Sequence, residues 1–175
     1  LRPVRELSME IIPADRTLND MLEAGEIDAY YGARRPDALD DGENVIRLFP
    51  DYRAHEKAYY EKTGFHPVMH TLVMHEDLYA EHPWIAEAMF KACEASKKLA
   101  IENMRYSGAQ RLMLPWLYDE IAEMQALMGA NAWAYGVERN RPLLEAFMQY
   151  LVEQAFLEAP TPIDDLFAPI VGWSE

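Results

Sequence analysis

Three short apolar runs constrain most strongly what this chain can fold into. Ile27-Asp28-Ala29-Tyr30-Tyr31, Val45-Ile46-Arg47-Leu48-Phe49 and His70-Thr71-Leu72-Val73-Met74 are rich in β-branched and aromatic side chains. Runs of this length suit buried strands and are too short for stable helices. Helix-like segments separate them. Thr17 stands where it can cap a helix over Leu18 to Ala24, with Asp20 at capping-box spacing and Gly25 as the stop. Asp51 to Tyr60 has helical character and ends at Thr63-Gly64. Alternating helix and strand implies an α/β layer with a mostly parallel sheet.

From Asp77 onward the pattern is helical. Pro83 suits a first turn, and Ile85, Met89, Ala92, Cys93, Leu99 and Ala100 follow at roughly helical spacing. Pro115 to Met128 predicts a further helix, acidic at its start and closed by Gly129. Arg141 to Leu157 predicts a third, with Leu144, Phe147, Leu151 and Ala155 on one face and Asn140 as its N-cap. The expected organisation is an α/β segment over 1–76, a helical segment over 77–159 and a Pro-rich tail over 160–175 lying on the surface.

The charge narrows the range of partners. Sixteen basic against thirty acidic residues give a formal charge of −14. That balance disfavours nucleic acid and anionic membranes and suits a small ligand. Cys93 is the single cysteine, so no intrachain disulfide and no cysteine-based metal knuckle can form. No apolar run reaches the roughly 20 residues of a membrane span. The opening Leu1-Arg2-Pro3-Val4 lacks an initiator Met and reads as the interior of a longer protein.

Three constellations could carry chemistry. Gly32-Ala33-Arg34-Arg35 follows the first expected strand, and ligands of open parallel sheets sit beyond the carboxyl ends of strands. A guanidinium fork can hold a carboxylate with two hydrogen bonds. Arg34 or Arg35 is therefore a candidate carboxylate clamp, and the competing reading pairs both with Asp37, Asp40 or Asp41. Second, Phe65-His66-Pro67-Val68-Met69-His70 places two histidines around a proline that forbids a helical metal face. Either ring could donate a proton near neutral pH, while His70 could equally be a satisfied residue at a strand start. Third, Asn131 to Pro142 is an aromatic-rich loop containing Trp133, Tyr135 and Gly136. It could wall a pocket for a planar ligand or plug the core. His55, His75 and His82 add no metal-ligand spacing, so no metal is expected. P-loop, dinucleotide-binding and nucleophile-elbow motifs are absent from the sequence.

These segments together carry a resemblance. Leu22-Glu23-Ala24-Gly25-Glu26-Ile27-Asp28-Ala29 resembles a stretch of type 2 periplasmic-binding-protein folds. Arg34-Arg35-Pro36, Leu48-Phe49-Pro50-Asp51-Tyr52, Glu56 to Tyr60, Thr63 to Thr71, Leu114-Pro115-Trp116, Trp133 to Arg141 and Asp165 to Pro169 resemble the 4,5-dihydroxyphthalate decarboxylase family. The resemblance runs from about residue 17 to 169. It implies the C-terminal part of a two-lobed periplasmic-binding-protein-like α/β fold: the end of the second lobe and a helical return to the first. The missing N-terminal part of that fold would then be needed as a partner.

By the same resemblance the reaction is non-oxidative loss of CO₂ from a hydroxylated aromatic carboxylate. Arg34 or Arg35 would hold the retained carboxylate. His66 or His70 would protonate the ring carbon. Phe65, Trp116, Tyr135 and Gly136 would line the pocket. Ring hydroxyls supply the electron density, so no cofactor is expected. A cytoplasmic protein follows, with a homo-oligomer left open. The alternative is a solute-binding protein or sensor for a small carboxylate or aromatic ligand, periplasmic where a signal peptide precedes it.

Overall fold

The computed structural model describes residues 8–41, 44–106, 108 and 111–170. The described residues divide into two compact units, the first closing at Thr63 and the second opening at Gly64.

In the first unit, α1 spans Leu18–Glu23. Its capping box forms as the sequence predicts: the Asp20 amide donates to Thr17 Oγ1 at 3.1 Å and the Thr17 amide donates to Asp20 Oδ2 at 3.2 Å. Gly25 follows at φ +70°, where a side chain would be strained. Arg16 and Glu26 bracket the helix with an ion pair at 2.7 Å. A short α2, Ala38–Asp41, is fastened to α1 by the Asp37 amide, which donates to Asn19 Oδ1 at 2.9 Å. Ala38 is buried there. α3 spans Tyr52–Thr63, and the Thr63 hydroxyl returns to the Tyr59 carbonyl at 2.7 Å. Gly64 supplies the positive φ that ends it.

The second unit holds the longer helices. α4 is Glu76–Glu81 and α5 is Trp84–Arg105, whose 22 residues make a rod of about 33 Å. α6 is Leu117–Met128, with Asp119 and Glu120 at its positive end and Gly129 beyond it at φ +83°. α7 is Val137–Glu153 and α8 is Ile163–Leu166. The buried apolar side chains here are Leu117, Ile121, Met148 and Ile163. α8 packs on α7 through the tail expected to lie on the surface.

Two expectations need correction. Among the described residues no strand forms, so the expected α/β layer is replaced by helices joined through irregular segments. The reason lies in pairing, because a strand exists only with a neighbour that takes its backbone N–H and C=O groups. Ile46 (81% exposed), Leu48 (86%) and Val73 (86%) find no such neighbour among the described residues. The second run instead reaches α3 through side chains. Arg47 lies 4.3 Å above the Tyr52 ring, and Phe49 meets His55 at 5.2 Å.

The other correction concerns α7. It starts four residues before Arg141, with Gly136 as its N-cap at φ +95°. Asn140 lies inside the helix, where its Nδ2 donates to the carbonyls of Ala134 (2.9 Å) and Gly136 (2.8 Å). Pro142 is carried within the helix. The face centres on Met148, and Phe147 points to solvent.

Candidate functional site

The first unit contains the two arginines. Arg35 Nη2 forms an ion pair with Asp40, one of the partners foreseen by the competing reading. Arg34 is exposed and makes no ion pair among the described residues. The adjacency Arg34-Arg35 therefore separates into one guanidinium occupied by a carboxylate of α2 and one turned to solvent.

In the second unit the histidines diverge. The His66 ring stands against the Trp133 indole, centroids 6.0 Å apart and planes at 75°. Such an edge-to-face contact orients an imidazole and covers one side of it. His70 is exposed and has no ring contact or hydrogen bond among the described residues. Phe65 is partly covered, whereas Trp116, at the start of α6, is 71% exposed. Gly136 faces Phe90, whose ring an added Cβ would meet at 3.6 Å.

Trp133 and Tyr135 are held by a residue outside the expected set. Lys97, on α5, has a side chain only 10% exposed. Its ammonium donates to Glu94 Oε1 at 2.7 Å, to Asn131 Oδ1 at 3.1 Å and to the Trp133 carbonyl at 2.8 Å. It also lies 4.4 Å above the Tyr135 ring, a cation–π geometry. A groove of about 380 Å³ runs between Trp133 and Tyr135 on one side and Cys93, Lys97, Ile101 and Met104 on the other. The signal for Lys97 was its place on a helix face, since Cys93 and Ile101 lie four residues away on either side. A lysine inside an apolar stripe must find acceptors of its own.

Electrostatics elsewhere serve the fold. Arg141 Nη2 reaches Glu138 Oε1 at 2.7 Å and Asp164 Oδ1 at 2.6 Å. Its hydrogen bonds hold both carboxyls below the usual carboxylate range, and theirs raise the guanidinium further. Among the described residues no group of three or more His, Cys, Asp or Glu side chains could hold a metal ion. Among them, too, no helix is long and apolar enough to cross a membrane.

The chain is 33% identical over 143 residues to the 4,5-dihydroxyphthalate decarboxylase of Comamonas testosteroni. That covers 81% of this chain and 43% of that protein. The chain therefore spans less than half the length of the relative it matches. No family model matches it.

Proposed function

We propose that this chain is part of a carboxy-lyase that removes CO₂ from a hydroxylated aromatic acid without oxidation. The observation that carries the reading is the 33% identity to a 4,5-dihydroxyphthalate decarboxylase along 81% of the chain. A relative of that kind also supports a periplasmic-binding-protein-like α/β fold for the complete protein. The runs at 27–31, 45–49 and 70–74 would become strands on meeting partner strands from further polypeptide.

The chain's own residues suit the chemistry as follows. Arg34, whose fork is not taken by an aspartate as that of Arg35 is, is the first unit's candidate for binding a carboxylate. His66, oriented by Trp133, gives its proton to the ring carbon that bears the leaving carboxylate. The ring hydroxyls supply electron density to that carbon. The C–C bond then breaks, its electron pair restores the aromatic ring, CO₂ departs and the imidazole is reprotonated from solvent. Tyr135 and Trp133 offer apolar walls that strip water from the breaking carboxylate. His70 is the poorer candidate of the two, because no described residue orients it.

The test uses the complete protein that carries this chain. It is incubated with 4,5-dihydroxyphthalate, and CO₂ and the dihydroxybenzoate product are followed by chromatography. Turnover is expected, with His66→Asn lowering kcat by roughly 10²–10⁴-fold. Absence of CO₂ release from any hydroxylated aromatic acid refutes the activity. Full kcat in the His66→Asn protein refutes the acid assignment.

A further inference from the structure

We propose that Lys97 is a positioning residue that, by fixing Trp133, sets where the His66 imidazole stands. This rests on the reading of His66 as the proton donor. The ammonium has three N–H donors and three acceptors within 3.1 Å: the Glu94 carboxylate, the Asn131 side chain and the Trp133 carbonyl. It is saturated and neutralised, so it has nothing left with which to bind a ligand carboxylate. Two of the three acceptors lie more than thirty residues away along the chain. These two belong to the segment that carries the indole.

That segment lies between two glycines of positive φ, Gly129 at +83° and Gly136 at +95°. Side-chain bonds fasten it from two directions. Asn140 takes the Ala134 and Gly136 carbonyls, which secures the end beside α7. Lys97 takes Asn131 and Trp133 and stacks over Tyr135, which secures the middle against α5. Trp133 in turn meets His66 edge to face. Removal of Lys97 leaves the Asn140 fastening intact and frees the indole, so the imidazole loses its support while the helices persist.

The experiment reads the His66 ring-proton resonance by NMR in the complete protein that carries this chain, assigned through His66→Gln. Lys97→Met is compared with Trp133→Leu, which removes the indole outright. The double substitution Glu94→Gln with Lys97→Met removes both charges and guards against unfolding from an unpaired carboxylate. Helix content by circular dichroism and the His75 resonance serve as controls. The Lys97 variants are expected to move the His66 resonance to its position in Trp133→Leu, with both controls unchanged. A His66 resonance that keeps its native position in both Lys97 variants overturns the proposal. So does one that moves only together with His75 and the helix signal. In the complete protein, Lys97→Met is expected to lower kcat by up to about 10²-fold with KM little changed, as for a misplaced catalytic group. A displaced resonance with unaltered kcat upholds the positioning role and instead rejects His66 as the acid.

Discussion

Truncating Ile163 to alanine should release α8 and the tail. A four-residue helix cannot sustain itself, and Pro162 gives it no side-chain cap. Among the described residues two fastenings stand out. One is Ile163, 6% exposed, in the helix that packs on α7. The other is Asp164, which accepts from Arg141 Nη2 at 2.6 Å and Nη1 at 3.4 Å. Burying an isoleucine contributes roughly 1.5–3 kcal/mol, and truncation to alanine costs about 2–5 kcal/mol where a cavity persists. A short surface segment can settle into the gap, so the lower end, about 2 kcal/mol, applies. That is roughly a 30-fold rise in the local opening equilibrium. Asp164 is exposed, and its pair with Arg141 is screened by salt. The assay is cleavage beside Leu166 and Phe167 by a protease selective for large apolar residues, under conditions where cutting tracks the open population. Ile163→Ala should be cut roughly 30-fold faster, and Asp164→Asn should differ little from the parent in high salt. Acceleration by Asp164→Asn with none by Ile163→Ala would show that charge, and not burial, holds the segment.

The remaining expectations concern the arginines, a glycine and acid. In the complete protein, Arg34→Ala should weaken binding of an aromatic carboxylate by about 10–150-fold, the worth of a charge-assisted hydrogen bond. Arg35→Ala should change it little because Asp40 already occupies that guanidinium; calorimetry showing the reverse order would exchange their roles. Gly136→Ala should lower stability by about 1–2 kcal/mol, read from the urea midpoint, since φ +95° suits no L side chain. The Phe90 ring at 3.6 Å offers the new methyl ordinary contact, so the loss comes from the backbone. The Arg141 guanidinium lowers the Glu138 and Asp164 carboxyls. A carboxyl lowered in the folded state contributes stability that is complete above its unfolded value and lost as pH falls through its folded value. Cleavage beside α8 should therefore stay constant from about pH 7 to pH 5 and rise only below the ordinary carboxylate range. A rise within that interval would contradict the sign.

Local signals were legible and partner-dependent ones were not. Thr17 with Asp20, and the glycines at 25, 64 and 129, mark helix ends because caps act within one turn of the chain. The start of α7 misleads because Asn140 before Arg141-Pro142 has the composition of a cap. Its amide is spent on the carbonyls of Ala134 and Gly136 while Gly136 does the capping. The three apolar runs have strand composition, yet composition names no neighbour, and the run at 45–49 engages α3 through Arg47 and Phe49. At the candidate site, the aromatic loop and the His66 motif are visible in sequence, and their meeting is not, since some 67 residues separate the two. Arg35 illustrates why adjacent residues need not share a role: Asp40, five positions on, claims one of the pair. Lys97 could have been singled out as the cation interrupting an apolar stripe of α5.

The uncovered segments at 45–49 and 70–74 bear on how copies of this chain behave together. Ile46, Leu48, Leu72 and Val73 present exposed apolar and β-branched surface, the kind of surface on which one chain templates another. Opposing that is the formal charge of −14, which makes each copy repel the next. Mutual repulsion is thus the property that keeps these segments from finding one another. It weakens with added salt and vanishes as the solution approaches the isoelectric point near 4.7. Concentrated, salted or mildly acidified preparations should turn cloudy first through these two runs, and a lysine or glutamate placed at Leu48 or Val73 should keep them clear.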